Sequence, residues 1–117
     1  MEALRVMLLT LLAGCASTAL AAHDNDADLL HSADEAVQEG LKRGENTQQA
    51  RPYYLDAARQ FEALHEHGVR NPELYRDLGN AYLLAGEVPH AILAYRRGLR
   101  FAPSDHVLQT NLIYARD

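Results

Sequence analysis

The sequence has few of the residues that mark disulfide-rich, zinc-binding or nucleic-acid-binding proteins. Cys15 is the single cysteine, so neither an internal disulfide nor a zinc site of the CxxC type can form. Lys and Arg number 11 against 16 Asp and Glu, which gives a net charge of -5. A mildly acidic chain without a basic stripe is a poor candidate for binding nucleic acid. Its 117 residues leave room for one domain.

The sequence also lacks the motifs of common catalytic sites. It has no Gly-x-Ser-x-Gly turn, no phosphate-binding glycine loop and no HExxH motif. Among the 6 histidines, His65 and His67 are too close in sequence to point to the same side of a helix. His31 and Glu35 have a suitable spacing, but two ligands make only a loose metal site. We therefore expect no catalysis and no cofactor, with a metal or small-ligand carrier as the alternative.

Residues 1–22 have the layout of a secretory signal. Arg5 supplies a positive charge, an apolar run follows from Val6 to Leu12, and small residues come next. This run is shorter than the roughly 20 apolar residues that a membrane-spanning helix needs.

Two cleavage sites are open for this signal. The segment ending at Cys15, Leu-Ala-Gly-Cys, is similar to the bacterial lipobox, whose cysteine becomes the lipid-modified first residue of the mature protein. The Ala-Leu-Ala segment ending at Ala21 fits the A-x-A rule and would leave Ala22 first. For a bacterial source we expect a periplasmic protein, or one anchored to the membrane by lipid on Cys15.

Beyond residue 22 the sequence lacks strand signals, and helical spacing of apolar residues predicts about five short helices. The first is predicted over Leu29–Leu41, and its predicted inward face consists of Leu29, Leu30, Ala33, Val37 and Leu41. A polar connector is predicted from Glu45 to Ala50. Pro52 is expected in the first turn of the second helix, which Gly68 ends.

The third helix has the clearest start signal in the sequence. Asn71 is predicted as its N-cap and Pro72 as its first residue. Gly86 ends this helix, a fourth helix extends from Pro89 toward Pro103, and Asp105 with its neighbour Ser104 can cap a fifth. Helices this short are marginal alone, so we expect them to pack as antiparallel neighbours.

A set of spaced residues in the second half resembles the signature of tetratricopeptide repeat (TPR) proteins, W-x2-L-G-x2-Y…A-x3-F…P. The sequence has no tryptophan, and tyrosine replaces both the Trp and the Phe of this pattern. The matching residues are Tyr75, Leu78, Gly79, Tyr82, Ala91, Tyr95 and Pro103.

A step of one TPR length, about 34 residues, tests for a preceding repeat. From Ala91 and Tyr95 it reaches Ala57 and Phe61, which fit the pattern. From Gly79 it reaches a glutamate, which does not fit. The first repeat is therefore degenerate.

The resemblance implies an all-α fold of antiparallel helix pairs, an α-solenoid fragment of about five helices. Residues 23–71 would form the degenerate first repeat and 72–105 the well-matched one. Residues 106–117 would form a capping helix or begin a further repeat. Gly79 and Ala91 are expected to meet where the two helices of the second pair cross.

Within this superfamily, residues 71–75, 78–82 and 91–97, with 111–112 and 115–116 near the end, are similar to the envelope TPR proteins of Bat-type aerotolerance operons. Those proteins commonly continue into membrane-spanning or SH3-like segments. Because the sequence stops at Asp117, we expect a shorter relative, a fragment or a misassigned gene end.

The resemblance also implies a function, because TPR helices stack around a concave groove that binds other proteins. It predicts a non-catalytic interaction scaffold of the bacterial cell envelope, with a protein partner in that groove. The predicted groove residues are Glu73, Arg76, Asn80, Leu83, Thr110 and Tyr114.

Two interpretations of Arg76 and Asn80 are open. In TPR domains that hold a peptide's C-terminal carboxylate, a basic residue and an asparagine occupy these two places, where arginine offers a charge-assisted fork. Alternatively, Arg76 pairs with Glu73 or Asp77 on the surface.

Overall fold

The computed structural model describes residues 25–44 and 47–117, and these residues form five α-helices. Helix α1 covers residues 25–42, α2 Thr47–Glu66, α3 Pro72–Leu84, α4 Val88–Phe101 and α5 His106–Arg116. The all-α prediction is thus confirmed for this part of the chain. The predicted signal over 1–22, with Cys15, lies outside the described residues. None of the helices in the described ranges is both long enough and apolar enough to span a membrane.

Side-chain caps start two of the helices where the sequence predicts them. Asn71 Oδ1 accepts a hydrogen bond from the backbone N–H of Leu74 at 2.8 Å, and Pro72 follows as the first residue of α3. Asp105 Oδ1 accepts from the N–H of Leu108 at 2.9 Å and caps α5 in the same way. Each cap satisfies a backbone donor that the first helical turn leaves without a partner.

Helix α2 ends at a glycine turn, as predicted. Gly68 has a φ of 94°, a conformation that favours glycine, and the Val69 N–H donates to the Leu64 carbonyl at 3.1 Å.

The start of α2 was predicted wrongly. The helix begins at Thr47, so most of the expected 45–50 connector is helical and Pro52 lies inside the helix. Ala50 and Tyr54 explain the extension, because both are buried and form a cluster with Ala85 at the end of α3. This burial offsets the hydrogen bond that the proline cannot make.

The inward face of α1 agrees with the prediction in part. Ala33 is buried and Leu29 and Val37 pack against the core as expected, whereas Leu30 and Leu41 are exposed and Ala36 is buried in addition. The two alanines belong to a core cluster with Phe61 of α2 and other residues of α2, α3 and α4. Small side chains at this seam let α1 lie close to its neighbours.

Each of the later helices packs against the next one in the chain, and α3 and α4 make the most extensive contact. The two glycines at this contact are Gly79 of α3 and Gly98 of α4. A Cβ built on Gly79 would lie 2.2 Å from Tyr95 Cε1, and one on Gly98 would lie 2.7 Å from Tyr75 Cβ. The side chain nearest to a Cβ at Gly79 is the ring of Tyr95, and the expected contact between Gly79 and Ala91 stays a prediction.

A polar network ties α2, α3 and α4 together. Glu62 accepts hydrogen bonds from Tyr82 Oη at 3.1 Å and from the Arg97 guanidinium at 3.2 Å. Burial, followed by the negative charge of Glu62, raises the pKa of Tyr82 to about 12.

Candidate protein-binding groove

An open groove lies between α1 and α3, with α2 beneath it. It consists of two adjoining cavities of about 390 and 410 Å³, and both cavities are lined by Asp34 and Asp77. We call it the α1–α3 groove and define it by its wall residues. These are Leu30, Asp34 and Gln38 of α1 and Asp77, Asn80 and Leu84 of α3.

The floor of the α1–α3 groove is apolar. Phe61 and Leu64 of α2 lie at its base, and Val37 of α1 adjoins Phe61. On the walls, Leu30 is 45% exposed and Leu84 is 44% exposed. The groove therefore offers apolar surface that a bound segment can cover.

Two carboxylates face each other across the groove. Partial desolvation raises the pKa of Asp77 above its ordinary value, and the negative charge of Asp34 on the opposite wall raises it further. Within residues 25–44 and 47–117, neither Asp34 nor Asp77 has an ion-pair or hydrogen-bond partner. Among the described residues the Arg76 guanidinium, which is paired with Glu73, offsets part of the Asp77 charge, and the lining of the groove stays net negative.

The other acidic residues at the groove are already paired. Glu73 and Asp26 line the cavity nearest the helix N-termini. Glu73 binds Arg76 at 3.1 Å, and Asp26 binds the His67 ring at 2.5 Å.

The two residues of the predicted carboxylate clamp are engaged within the chain. Arg76 forms its ion pair with Glu73, as the surface-pairing interpretation predicts. Asn80 Oδ1 accepts hydrogen bonds from Tyr95 Oη at 2.6 Å and from Asn111 Nδ2 at 3.1 Å. These bonds join α4 and α5 to α3. Carboxylate binding by Arg76 and Asn80 stays a prediction.

The groove brings together only part of the predicted set. Asn80 and Glu73 line it, but Leu83 packs instead beside the cluster formed by α3, α4 and α5. Thr110 and Tyr114 are exposed on α5, with Tyr114 73% exposed, and they do not line the groove.

Asp34, Gln38 and Asp77 line the groove but are not among its predicted residues. On α1 a usable signal exists, because Leu30, Asp34 and Gln38 follow one another at intervals of one helical turn. No such signal shows that Asp34 and Asp77 face each other, because that arrangement depends on α1 and α3 lying side by side.

The histidines and acids of the described ranges give no candidate metal centre. No group of three or more His, Cys, Asp or Glu side chains in this part of the chain is arranged to hold a metal ion. His31 and Glu35 form an exposed pair at 3.3 Å, next to the groove.

Comparisons of the chain with protein-family models, with curated proteins and with solved structures find no match.

Proposed function

We propose that this chain is a non-catalytic interaction scaffold that binds a partner protein in the α1–α3 groove. The observation that supports this most directly is the open groove itself, in which exposed Leu30 and Leu84 flank an apolar floor. Exposed apolar surface in a concave site is typical of protein-binding surfaces.

We also propose that the helix pairs are of TPR type. Four signature residues, Tyr75, Leu78, Ala91 and Tyr95, are completely buried, as side chains that hold two helices together should be. Gly79 lies directly beneath one of these rings. A groove lined by the first helix of each pair, here α1 and α3, is where TPR proteins bind their partners.

The cell envelope is the proposed location, and lipid on Cys15 the proposed anchor. Both proposals rest on the sequence of residues 1–22. The similarity to Bat-type envelope proteins rests on the sequence of α3 and α4. Mass spectrometry of the mature N-terminus separates the two cleavage sites. An acylated Cys15 supports the anchor, and a free Ala22 contradicts it.

Site-specific photo-crosslinking tests the groove as the binding surface. A photoreactive amino acid replaces Gln38 on the groove wall or, as the control, exposed Arg59 on α2. In a native envelope extract we expect the Gln38 probe to capture a defined partner and the Arg59 probe not to capture it. Failure of the Gln38 probe, or equal capture by both probes, would contradict the proposed function.

A further inference from the structure

We infer that the α1–α3 groove selects a protein segment that places a Lys or Arg side chain between Asp34 and Asp77 and apolar side chains on either side of it, against Leu30 and Leu84. This inference rests on the proposed function and adds the chemistry of the partner. It differs from the carboxylate clamp, which would bind a negatively charged group of the partner and not a positively charged one.

The charged side chains that line the groove are acidic. None of the described residues that line its two cavities is Lys or Arg. The nearby cations are committed elsewhere, because Arg76 binds Glu73 and Lys42 binds Glu39 at 2.8 Å. Asp34 and Asp77 face each other's negative charge, and the Arg76 guanidinium offsets only part of that of Asp77. A cation placed between the two carboxylates would neutralise them.

The two carboxylates lie at the centre of the groove. Asp34 and Asp77 line both cavities, so the charge lies midway along the groove and apolar surface lies on either side. Leu30 belongs to one cavity and Leu84 to the other. A segment with a basic residue between two apolar residues matches this order of surfaces, with the apolar contacts supplying affinity and the charge supplying selection.

The same geometry disfavours an acidic segment or a chain terminus. A carboxylate entering the groove would meet two carboxylates of the same charge, and like charges brought together at an interface are a strong source of discrimination. Arg76, the basic residue of the carboxylate clamp, is already paired with Glu73.

A matched peptide panel tests the inference. Fluorescein-labelled peptides of one length carry leucine at the same positions and Lys, Gln or Glu at the position between them. Fluorescence anisotropy with the full chain measures their Kd. We expect the Lys peptide to bind about tenfold more tightly than the Gln peptide, since each tenfold step corresponds to about 1.4 kcal/mol. The Glu peptide is expected to bind most weakly.

Paired variants locate the effect. Asp34→Asn with Asp77→Asn should weaken binding of the Lys peptide about tenfold and leave the Gln peptide unchanged within twofold. Asp56→Asn with Glu66→Gln removes the same net charge from positions that do not line the groove, and should change neither Kd by more than twofold. Circular dichroism checks that both double variants keep the helical content of the parent.

Salt adds an independent readout. Raising the ionic strength from about 0.01 to about 0.15 M shortens the Debye length from about 30 to about 8 Å. Binding of the Lys peptide to the parent should weaken over this range, and the Asp34→Asn/Asp77→Asn variant should lose most of that salt dependence.

Equal affinities for the Lys and Glu peptides, or equal effects of the two double variants, would overturn the inference. Such a result leaves the proposed function standing if the Gln38 probe still captures its partner. Failure of the Gln38 probe removes the proposed function whatever the peptides show.

Discussion

The α3–α4 pair and the α1–α2 pair both place a tyrosine ring over a glycine, but the two rings differ in position and in polar contacts. Tyr95 is 0% exposed, lies over Gly79, and donates its hydroxyl hydrogen to Asn80. Tyr54 is 5% exposed and lies over Gly40, next to the connector between its two helices.

This difference between the two tyrosines explains which residues of the repeat pattern recur in the first pair and which do not. Ala57 and Phe61 correspond in sequence to Ala91 and Tyr95, and all four are buried to at least 99%. Phe61 has no hydroxyl, however, so the first pair lacks a counterpart of the polar link to Asn80. The glycine of the first pair lies under Tyr54 instead, which is why the step back from Gly79 finds no small residue.

The largest expected effect comes from adding a methyl group at the two glycines. A Cβ would lie 2.2 Å from Tyr95 Cε1 at Gly79 and 2.5 Å from Tyr54 Cε1 at Gly40. Overpacking of this kind costs about 1–3 kcal/mol, against a gain in helix propensity of about 1 kcal/mol. By urea unfolding we expect Gly79→Ala to lower the free energy of unfolding by about 2 kcal/mol, and Gly40→Ala by less.

A smaller side chain at position 95 provides the control. In a Tyr95→Leu background, Gly79→Ala should cost much less, because the ring that the methyl displaces is gone. If Gly79→Ala lowers the free energy of unfolding equally in both backgrounds, the close approach of the Tyr95 ring is not the reason that position 79 requires glycine.

Removing the hydrogen bond between Tyr95 and Asn80 should give the next effect. Asn80→Ala leaves the hydroxyl of buried Tyr95 without its acceptor, and we expect a loss of about 1–2 kcal/mol in the free energy of unfolding. In a Tyr95→Phe background the same change should cost clearly less. An equal loss in the free energy of unfolding in both backgrounds would show that the Tyr95–Asn80 hydrogen bond is not what Asn80→Ala removes.

The tyrosines of the second pair also predict an alkaline loss of stability. Burial raises the pKa of Tyr95 to about 12, and burial together with Glu62 raises that of Tyr82 to about 12. An unfolded tyrosine has a pKa of about 10, so above that pH the unfolded state loses protons that the folded state keeps. The contribution is complete below about pH 10 and declines toward pH 12.

Thermal unfolding followed as a function of pH tests this. The melting temperature should fall steeply above about pH 10, and a Tyr82→Phe/Tyr95→Phe variant should show a shallower fall. An identical pH profile for the variant would contradict the assignment.

The smallest expected effect concerns the helix starts. Asn71→Ala removes the cap bond to Leu74 and should cost about 1 kcal/mol. Glu87 precedes α4 without a side-chain cap bond, so Glu87→Ala should cost only what its surface ion pairs with Arg51 and His90 contribute, about 0–1 kcal/mol. Chemical denaturation of both variants makes the comparison. A Glu87→Ala loss larger than the Asn71→Ala loss would contradict it.

Local signals explain which parts of the fold are readable from sequence. Asn71 and Asp105 cap their helices through neighbours in the chain, and their positions were predicted correctly. The start of α2 was not, because burial of Ala50 and Tyr54 against Ala85 outweighs the proline signal.

The groove follows the same rule. Asn80 lies in a recognisable pattern and was among the predicted groove residues. Asp34 and Asp77 come from helices separated by the whole of α2, and their facing depends on packing that no short sequence pattern encodes.

Amide chemical shifts test most directly whether a basic segment occupies the α1–α3 groove. The isotope-labelled chain is titrated with the Lys peptide, and shift changes are mapped by residue. We predict that they concentrate at the groove walls, around Asp34, Gln38, Asp77 and Leu84. Changes concentrated instead on exposed Ile113 and Tyr114 of α5, with the groove walls unaffected, would contradict the account.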